Sequence, residues 1–153
     1  MKNARELLEG VFKESWRDAN VMVSMFAEDG ALELPYLTDF RIPGRFAGAA
    51  GIAGAAKFLQ DTFPGLHLEN LKILIDTPEQ VFAEYEFTNV STITGRTVHQ
   101  LFFGRLVAEN GKIKLLREAH NSAQTAQALL KQGVPELAPR ADEAETVAGR
   151  THS

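Results

Sequence analysis

The sequence has no cysteine, no cluster of basic residues and no long apolar stretch. Without cysteine the chain can form no disulfide, no thiolate metal site and no cysteine nucleophile. No two of its 16 lysines and arginines are adjacent and its formal net charge is −4, so it lacks the basic face that nucleic acids require. No segment is apolar enough to span a bilayer, and residues 1–10 do not resemble a secretory signal. We therefore expect a cytoplasmic protein that binds neither nucleic acid nor membrane.

The composition is that of an ordinary globular protein. The chain has 153 residues, of which 44% are hydrophobic and 24% are charged, which is enough to bury a core in one domain. Residues 1–132 carry regular apolar patterns and are expected to form that domain. Residues 133–153 carry few large apolar side chains, and we expect them to form a mobile C-terminal tail.

Helical patterns dominate the first 62 residues. Apolar side chains at helical spacing predict a first helix that ends near Trp16, and Asp18 can cap a short second helix. A short strand is expected at residues 31–36, limited by Pro35, and a third helix at residues 48–62. The first part of the domain is therefore predicted to be mostly helical.

Four long β-type stretches follow, and they are separated by turn residues. They cover residues 66–75, 80–90, 96–108 and 112–121, and a short helix follows at residues 122–131. Asn110-Gly111 between two apolar runs is a strong hairpin signal. Helices followed by antiparallel strands predict an α+β fold, in which a cone-shaped curved antiparallel sheet packs against N-terminal helices. The space between the sheet and the helices would be an apolar pocket.

Two groups capable of acid/base chemistry, Glu118 and His120, share one face of the last predicted strand. A carboxyl group inside an apolar cone has its pKa raised by desolvation toward neutrality, where general acid or base catalysis is efficient. The simpler alternative is a solvated or ion-paired Glu118 and a hydrogen-bonded structural His120.

The neighbouring strand carries further candidates. Regular pairing across the predicted hairpin places Glu118 opposite Phe103 and His120 opposite Leu101. His99 shares the face of Phe103, so it could supply a second polar group, although a structural histidine is the simpler alternative.

No pattern for a metal or nucleotide cofactor is present. The four histidines form no pair at i, i+4 on a predicted helix, so a metal site is not expected. The glycines of residues 44–54 do not follow a strand in a βαβ unit, which argues against a dinucleotide site. We expect no cofactor.

Three segments carry a resemblance to a known superfamily. MFAEDGALELP (residues 25–35) resembles the helix-to-strand junction of nuclear-transport-factor-two-like (cystatin-like) proteins, and NGKIKLLREAHN (residues 110–121) resembles their final hairpin. Within this superfamily the chain is most similar to SnoaL-like proteins, in particular the phenazine-biosynthesis A/B proteins. The stretch that carries this similarity is ENGKIKLLREAHNSAQTAQALLKQGVP (residues 109–135), and the resemblance covers residues 5–132.

The resemblance implies a role for Glu118, which falls where phenazine proteins hold an acid/base glutamate and SnoaL-like polyketide cyclases an acid/base aspartate. The third-helix histidine of the phenazine proteins falls at Ala55 here, so their exact condensation chemistry is not implied. The catalytic positions of ketosteroid isomerases fall at Leu34, Phe12 and Phe103. All three are apolar here, which argues against steroid-type isomerisation.

Two functions stay open at this point. The first is a cofactor-independent enzyme in which Glu118 is the acid/base and His99 or His120 orients the substrate, a hydrophobic cyclic or polyketide-like metabolite. Its reaction would be a cyclisation, isomerisation, dehydration or condensation. The second is a non-catalytic ligand-binding or assembly module. The resemblance also implies a homodimer formed through the exposed sheet face. The expected substrate contacts are Phe12, Trp16, Leu34, Tyr36, Leu59, Leu101 and Phe103.

Overall fold

The computed structural model describes residues 1–15 and 17–137. In this part of the chain, helices pack against one curved six-stranded sheet, so the predicted α+β class is confirmed. The α-helices are α1 (Ala4–Gly10), α2 (Ala19–Met25), α3 (Gly48–Thr62) and α4 (Ser122–Leu129). The strands are β1 (Phe26–Glu33), β2 (Arg45–Ala47), β3 (Glu69–Asp76), β4 (Gln80–Val90), β5 (Thr97–Glu109) and β6 (Lys112–Ala119). A π-helical segment, Val11–Ser15, extends α1, and a 3-10 helix, Pro35–Phe40, follows β1.

The helix boundaries follow from local capping. Asn3 and Glu6 form a reciprocal capping box at the start of α1, with both hydrogen bonds at 2.9 Å. Asp18 caps α2 as predicted, because its Oδ1 accepts a hydrogen bond from the backbone N–H of Asn20 at 2.8 Å. Asn121 caps α4 in the same way, so this helix starts three residues after the last residue of β6. The predicted range of α3 is confirmed.

The strand order in the sheet is β2-β1-β6-β5-β4-β3. Strands β3 to β6 form the predicted antiparallel meander, while β1 pairs in parallel with β6. The strand predicted at residues 31–36 differs from β1 at both ends, since β1 begins at Phe26 and Pro35 already starts the 3-10 helix. Glu33, the last residue of β1, is buried and accepts hydrogen bonds from Arg45 of β2 and Arg117 of β6. These bonds connect three adjacent strands.

The pairing of β5 with β6 contains a β-bulge. The pairs next to the Asn110-Gly111 turn follow the predicted register, but Lys114 is an extra residue on β6, and the register shifts beyond it. Glu118 therefore lies opposite Gly104 and not opposite Phe103. Because side chains alternate along a strand, a one-residue slip reverses which face of β5 accompanies Glu118.

The core lies between the helices and the inner face of the sheet. Its most completely buried large side chains are Leu7, Leu8, Val11, Met22, Leu32, Ile52, Val81, Tyr85, Val98, Leu106, Ile113 and Leu116. Among the described residues, no helix combines the length and apolarity needed to cross a bilayer. Trp16 and residues 138–153, which make up most of the predicted tail, lie outside the described residues.

Candidate active site

Glu118 lies near the end of β6 on the inner face of the sheet, and only 4% of it is exposed. The loss of hydration raises the pKa of its carboxyl from the ordinary 4.5 to about 7, and the neighbouring Tyr85 hydroxyl partly offsets this rise. Both protonation states are therefore populated near neutral pH. A group that must accept a proton and then return it needs this property.

Tyr85 brings a second polar group to Glu118. It lies on β4, is 1% exposed, and its buried hydroxyl has no regular hydrogen bond to any described residue. The phenol and the carboxyl are close enough to shift each other's pKa: burial first, and then the Glu118 charge, raise the pKa of Tyr85 well above 10. The phenol therefore keeps its proton and can donate a hydrogen bond to the carboxylate.

Gly104 makes this arrangement possible. It lies on β5 between Ala83 of β4 and Glu118 of β6 in the sheet. A Cβ atom at this position would lie 2.2 Å from the Tyr85 hydroxyl oxygen, so any larger residue would displace the phenol. Sequence reasoning missed Tyr85, but a glycine within a long apolar strand marks a close approach by another group and could have indicated it.

A small cavity borders Glu118. Its volume is about 20 Å³, which is enough for about one water molecule. Apart from Glu118, its lining is apolar: Leu34, Leu59, Leu66, Leu68, Phe87 and Phe102. The carboxyl group is thus adjacent to space that a single small polar group can enter.

A larger cavity of about 70 Å³, here called the main cavity, lies between α3, α4, the 3-10 helix and the inner face of the sheet. Its lining is mostly aliphatic and aromatic, with Gln100, His120 and Thr125 as polar members. Four side chains line both cavities and therefore separate Glu118 from the main cavity: Leu34, Leu59, Phe87 and Phe102. Phe58, at its border, is 38% exposed, so the main cavity opens toward solvent on the side of α3.

The polar side chains of the main cavity form one connected network. Gln100 accepts a hydrogen bond from the Asn121 N–H at 2.8 Å and donates to the Asn121 carbonyl at 3.1 Å and to Thr125 Oγ1 at 3.0 Å. Thr125 Oγ1 lies 2.9 Å from His120 Nδ1, while His120 Nε2 is buried and has no hydrogen-bond partner in the described part of the chain. Burial lowers the pKa of His120, an effect that a backbone hydrogen bond at Asn121 and the charge of Asp39 only partly offset, so the imidazole is neutral at pH 7.

Comparison with known proteins identifies the family to which the chain belongs. The family model for the SnoaL-like domain matches residues 5–116. The chain belongs to the SnoaL-like family. The match to the SnoaL-like domain ends two residues before Glu118 and does not include it. No curated protein matches the sequence.

Solved structures agree with the predicted superfamily, which is confirmed. A phenazine biosynthesis-related protein from Pseudomonas aeruginosa is 25% identical, with a TM-score of 0.72 over 90% of this chain and 86% of its own. A candidate polyketide cyclase from Xanthomonas campestris is 21% identical, with a TM-score of 0.68 over 82% of this chain and 96% of its own. An NTF2-like protein of unknown function from Burkholderia pseudomallei is 14% identical, with a TM-score of 0.72 over 85% and 99%. The last two likenesses concern the fold alone.

Some predicted substrate contacts lie at the cavities of this SnoaL-like domain and others do not. Leu34 and Leu59 line both cavities. Phe12 instead packs edge-on against the Tyr85 ring, with the ring centroids 5.2 Å apart. Tyr36 is 50% exposed and packs edge-on against the His120 ring, with the ring centroids 6.0 Å apart. Another predicted contact, Trp16, lies outside the described residues.

The placement of His99, Leu101 and Phe103 inside the cone is wrong. All three project from the outer face of the sheet, where Leu101 and Phe103 are 39% and 43% exposed. His99 Nε2 lies 3.1 Å from a carboxylate oxygen of Glu86 on the same outer face. The cause is the bulge at Lys114, which shifts the pairing of the two strands by one residue and so places the other face of β5 beside Glu118. His99 therefore does not share a cavity with Glu118.

A metal centre finds no support in the described residues, since no three histidine, aspartate or glutamate side chains converge on one point. The chemistry that the site offers is proton transfer. Glu118 can take and return a proton, Tyr85 can donate a hydrogen bond, and His120 adds a neutral imidazole one cavity away.

Proposed function

We propose that this SnoaL-like domain is an enzyme that performs cofactor-independent acid/base catalysis on a hydrophobic cyclic or polyketide-like metabolite, with Glu118 as the acid/base. The observation that carries this proposal is a carboxyl group buried in apolar surroundings, whose pKa of about 7 suits proton transfer at neutral pH. The reaction belongs to the class of cyclisations, isomerisations, dehydrations or condensations. All of these need one proton removed and one proton delivered.

The mechanism needs only residues of this chain. As a carboxylate, Glu118 removes a proton from an acidic C–H bond of the substrate, and the electron pair moves onto an adjacent carbonyl oxygen. The Tyr85 hydroxyl lies beside Glu118 and stabilises the carboxylate form that takes the proton. Glu118 then returns the proton to another atom of the substrate. The proton balance closes without an added reagent.

The substrate reaches Glu118 through the main cavity. Its ring occupies the main cavity, and its acidic carbon passes the shared wall after Leu59 or Phe102 rotates. Leu59 lies on α3 near the open side, so its rotation requires no change in the sheet.

The experiment that tests this function measures hydrogen exchange into a panel of cyclic ketones in D₂O by NMR. The wild-type exchange rate should rise with pH around an apparent pKa near 7, and Glu118→Gln should lower it ~100-fold or more. Glu9→Gln is the matched control, because Glu9 is an exposed glutamate of α1 that pairs with Arg5, away from both cavities and from the outer face of the sheet. Unchanged exchange in Glu118→Gln would refute the mechanism.

A non-catalytic ligand-binding module is the second candidate. The small size of the cavity at Glu118 favours it, because a ligand that stays in the main cavity never touches the carboxyl group. Ligands would then stabilise the protein against heat without exchanging hydrogen, and Glu118→Gln would bind them as well as wild type does.

We also propose a homodimer formed through the outer face of the sheet. Phe103 is 43% exposed there. Glu84 and Glu86 lie on one side of it on β4, while Arg105 and Arg117 face each other across β5 and β6. A twofold contact can place the acidic pair of one copy over the basic pair of the other.

The dimer is tested by sedimentation of the wild type and of Phe103→Asp. We expect the wild type to sediment as a dimer and the variant as a monomer with an unchanged circular dichroism spectrum. A monomeric wild type at micromolar concentration would contradict the proposal.

The cytoplasmic location also stays a prediction, and it is supported by the absence of cysteine.

A further inference from the structure

The residues that line the main cavity limit the chemical class of ligand that it can bind. We propose that it binds a neutral ring compound through one hydrogen bond to His120 Nε2, from a hydroxyl or carbonyl group, and that it rejects carboxylates and phosphates. This inference rests on the proposed function in that the ligand is taken to be the substrate.

The lining excludes charged ligands. Its apolar part is rich in aromatic rings that a flat ring can contact: Phe46, Phe58, Phe63, Phe87 and Phe102. Neither lysine nor arginine is among the described residues that line it. An anion entering this cavity would lose its hydration without meeting a positive charge. The ionised form of Glu118 behind the shared wall would repel it further.

His120 is held in a fixed orientation. Thr125 Oγ1 contacts its Nδ1 atom at 2.9 Å, and Thr125 is itself fixed by the Gln100 amide at 3.0 Å and by the Asn121 carbonyl at 3.2 Å. The ring of Tyr36 packs edge-on against the imidazole. The remaining ring nitrogen, Nε2, is buried without a partner in the described part of the chain, and the residue lines the main cavity. A ligand that hydrogen-bonds to Nε2 satisfies this atom.

The network allows His120 to serve either a donor or an acceptor. Both N–H bonds of the Gln100 amide are used, one to the Asn121 carbonyl and one to Thr125. In one arrangement the Thr125 hydroxyl donates its hydrogen bond to the Asn121 carbonyl. The proton of the imidazole is then on Nδ1, and Nε2 accepts a hydrogen bond from a ligand hydroxyl. In the other arrangement the Thr125 hydroxyl donates its hydrogen bond to Nδ1, so the imidazole proton is on Nε2, which donates a hydrogen bond to a ligand carbonyl. The keto and enol forms of one substrate therefore both fit.

Four aromatic probes of similar size test the ligand class. We would titrate phenol, benzaldehyde, toluene and benzoate into ¹⁵N-labelled wild-type protein at pH 8 and follow the imidazole nitrogens of His120. Phenol and benzaldehyde should saturate with a shift of Nε2, toluene should bind about fivefold to tenfold more weakly without it, and benzoate should not bind. Benzoate binding as tightly as phenol would overturn the proposal.

The variants His120→Phe and His99→Phe separate the hydrogen bond from a general effect of losing a histidine. His120→Phe keeps a flat ring but removes Nε2, so its preference for phenol over toluene should fall to about one. His99→Phe changes a histidine on the outer face and should keep the preference of the wild type. A preference that survives in folded His120→Phe would refute the role of Nε2. If that variant does not fold, the Nε2 shift in the wild type decides the question alone.

This test is independent of the proposed function. Selective binding of phenol and benzaldehyde with no loss of exchange in Glu118→Gln would refute the catalytic proposal and support the ligand class. Loss of exchange in Glu118→Gln together with tight benzoate binding would support the catalytic proposal and refute the ligand class.

Discussion

Replacing Glu118 by glutamine should stabilise the protein at alkaline pH and have little effect on stability at pH 5. In the unfolded chain this carboxyl has an ordinary pKa near 4.5, while in the folded protein burial raises the pKa to about 7. Between these two pH values the folded protein holds a proton that the unfolded chain has released. The free energy of unfolding therefore falls as the pH rises through this window, and the loss is complete above pH 7.

The magnitude follows from the same two pKa values. At 1.36 kcal/mol per pKa unit, a rise from 4.5 to about 7 corresponds to about 3 kcal/mol. Because Glu118 is only 4% exposed, solvent screening reduces this value little. A glutamine has almost the shape of the protonated acid but does not ionise, so it avoids the whole loss. For a domain of this length, about 3 kcal/mol corresponds to a rise in Tm of about 10 °C at pH 8.

Urea denaturation at half-unit steps from pH 4.5 to pH 8.5 measures this effect. The quantity of interest is the difference in unfolding free energy between Glu118→Gln and wild type at each pH, at one protein concentration, because a dimer would make stability concentration-dependent. This difference should grow by about 3 kcal/mol across the range. The control variant Glu9→Gln, at an exposed glutamate of α1, should not reproduce the trend. A constant difference would show that Glu118 is not desolvated, and the catalytic argument would fail with it.

Two further predictions concern other buried groups. Gly104→Ala places a Cβ atom 2.2 Å from the Tyr85 hydroxyl oxygen, so it should lower the free energy of unfolding by about 1–3 kcal/mol in urea denaturation. Adding Tyr85→Phe should recover part of this loss. A Gly104→Ala variant as stable as the wild type would contradict the described packing. Burial on its own raises the pKa of Glu33, but hydrogen bonds from Arg117 and Arg45 outweigh it and lower the pKa. The stability that Glu33 contributes is therefore present above pH 4.5 and lost as the pH falls below it, so Glu33→Gln should cost about 1–3 kcal/mol at pH 7 and flatten the acid limb of the stability profile.

Local signals predicted a large part of the fold. The small and apolar residues of α3 repeat at helical spacing, and the helix has the predicted range of residues 48–62. Asp18 caps α2 because its carboxylate accepts the backbone hydrogen bond that this position needs. Asn110 and Gly111 both have positive φ, at 51° and 74°, which is the backbone conformation that a tight hairpin requires. Each of these features depends on residues that are close to one another in the sequence.

Long-range features could not be read in this way. The parallel pairing of β1 with β6 joins residues 84 to 87 positions apart in the sequence, and no local pattern records it. The bulge at Lys114 follows a turn that was correctly predicted, yet it reverses the face assignment of β5. Tyr85 is read from the sequence as one of several alternating apolar positions, and only its position beside Gly104 brings its hydroxyl to Glu118. The candidate acid was therefore identified while most of its surroundings were not.

The single additional residue in β6 also affects how chains of this fold should be compared. Counting back from the final turn at equal steps on both strands gives Glu118 the wrong neighbours, because the count passes Lys114. An alignment with a relative can place its gap elsewhere in this hairpin. The role of a residue in that relative would then be assigned to a residue of this chain whose side chain points to the opposite side of the sheet. Engineers who lengthen or shorten this hairpin by one residue face the same problem: they would exchange the side chains that meet the ligand for those that meet the solvent.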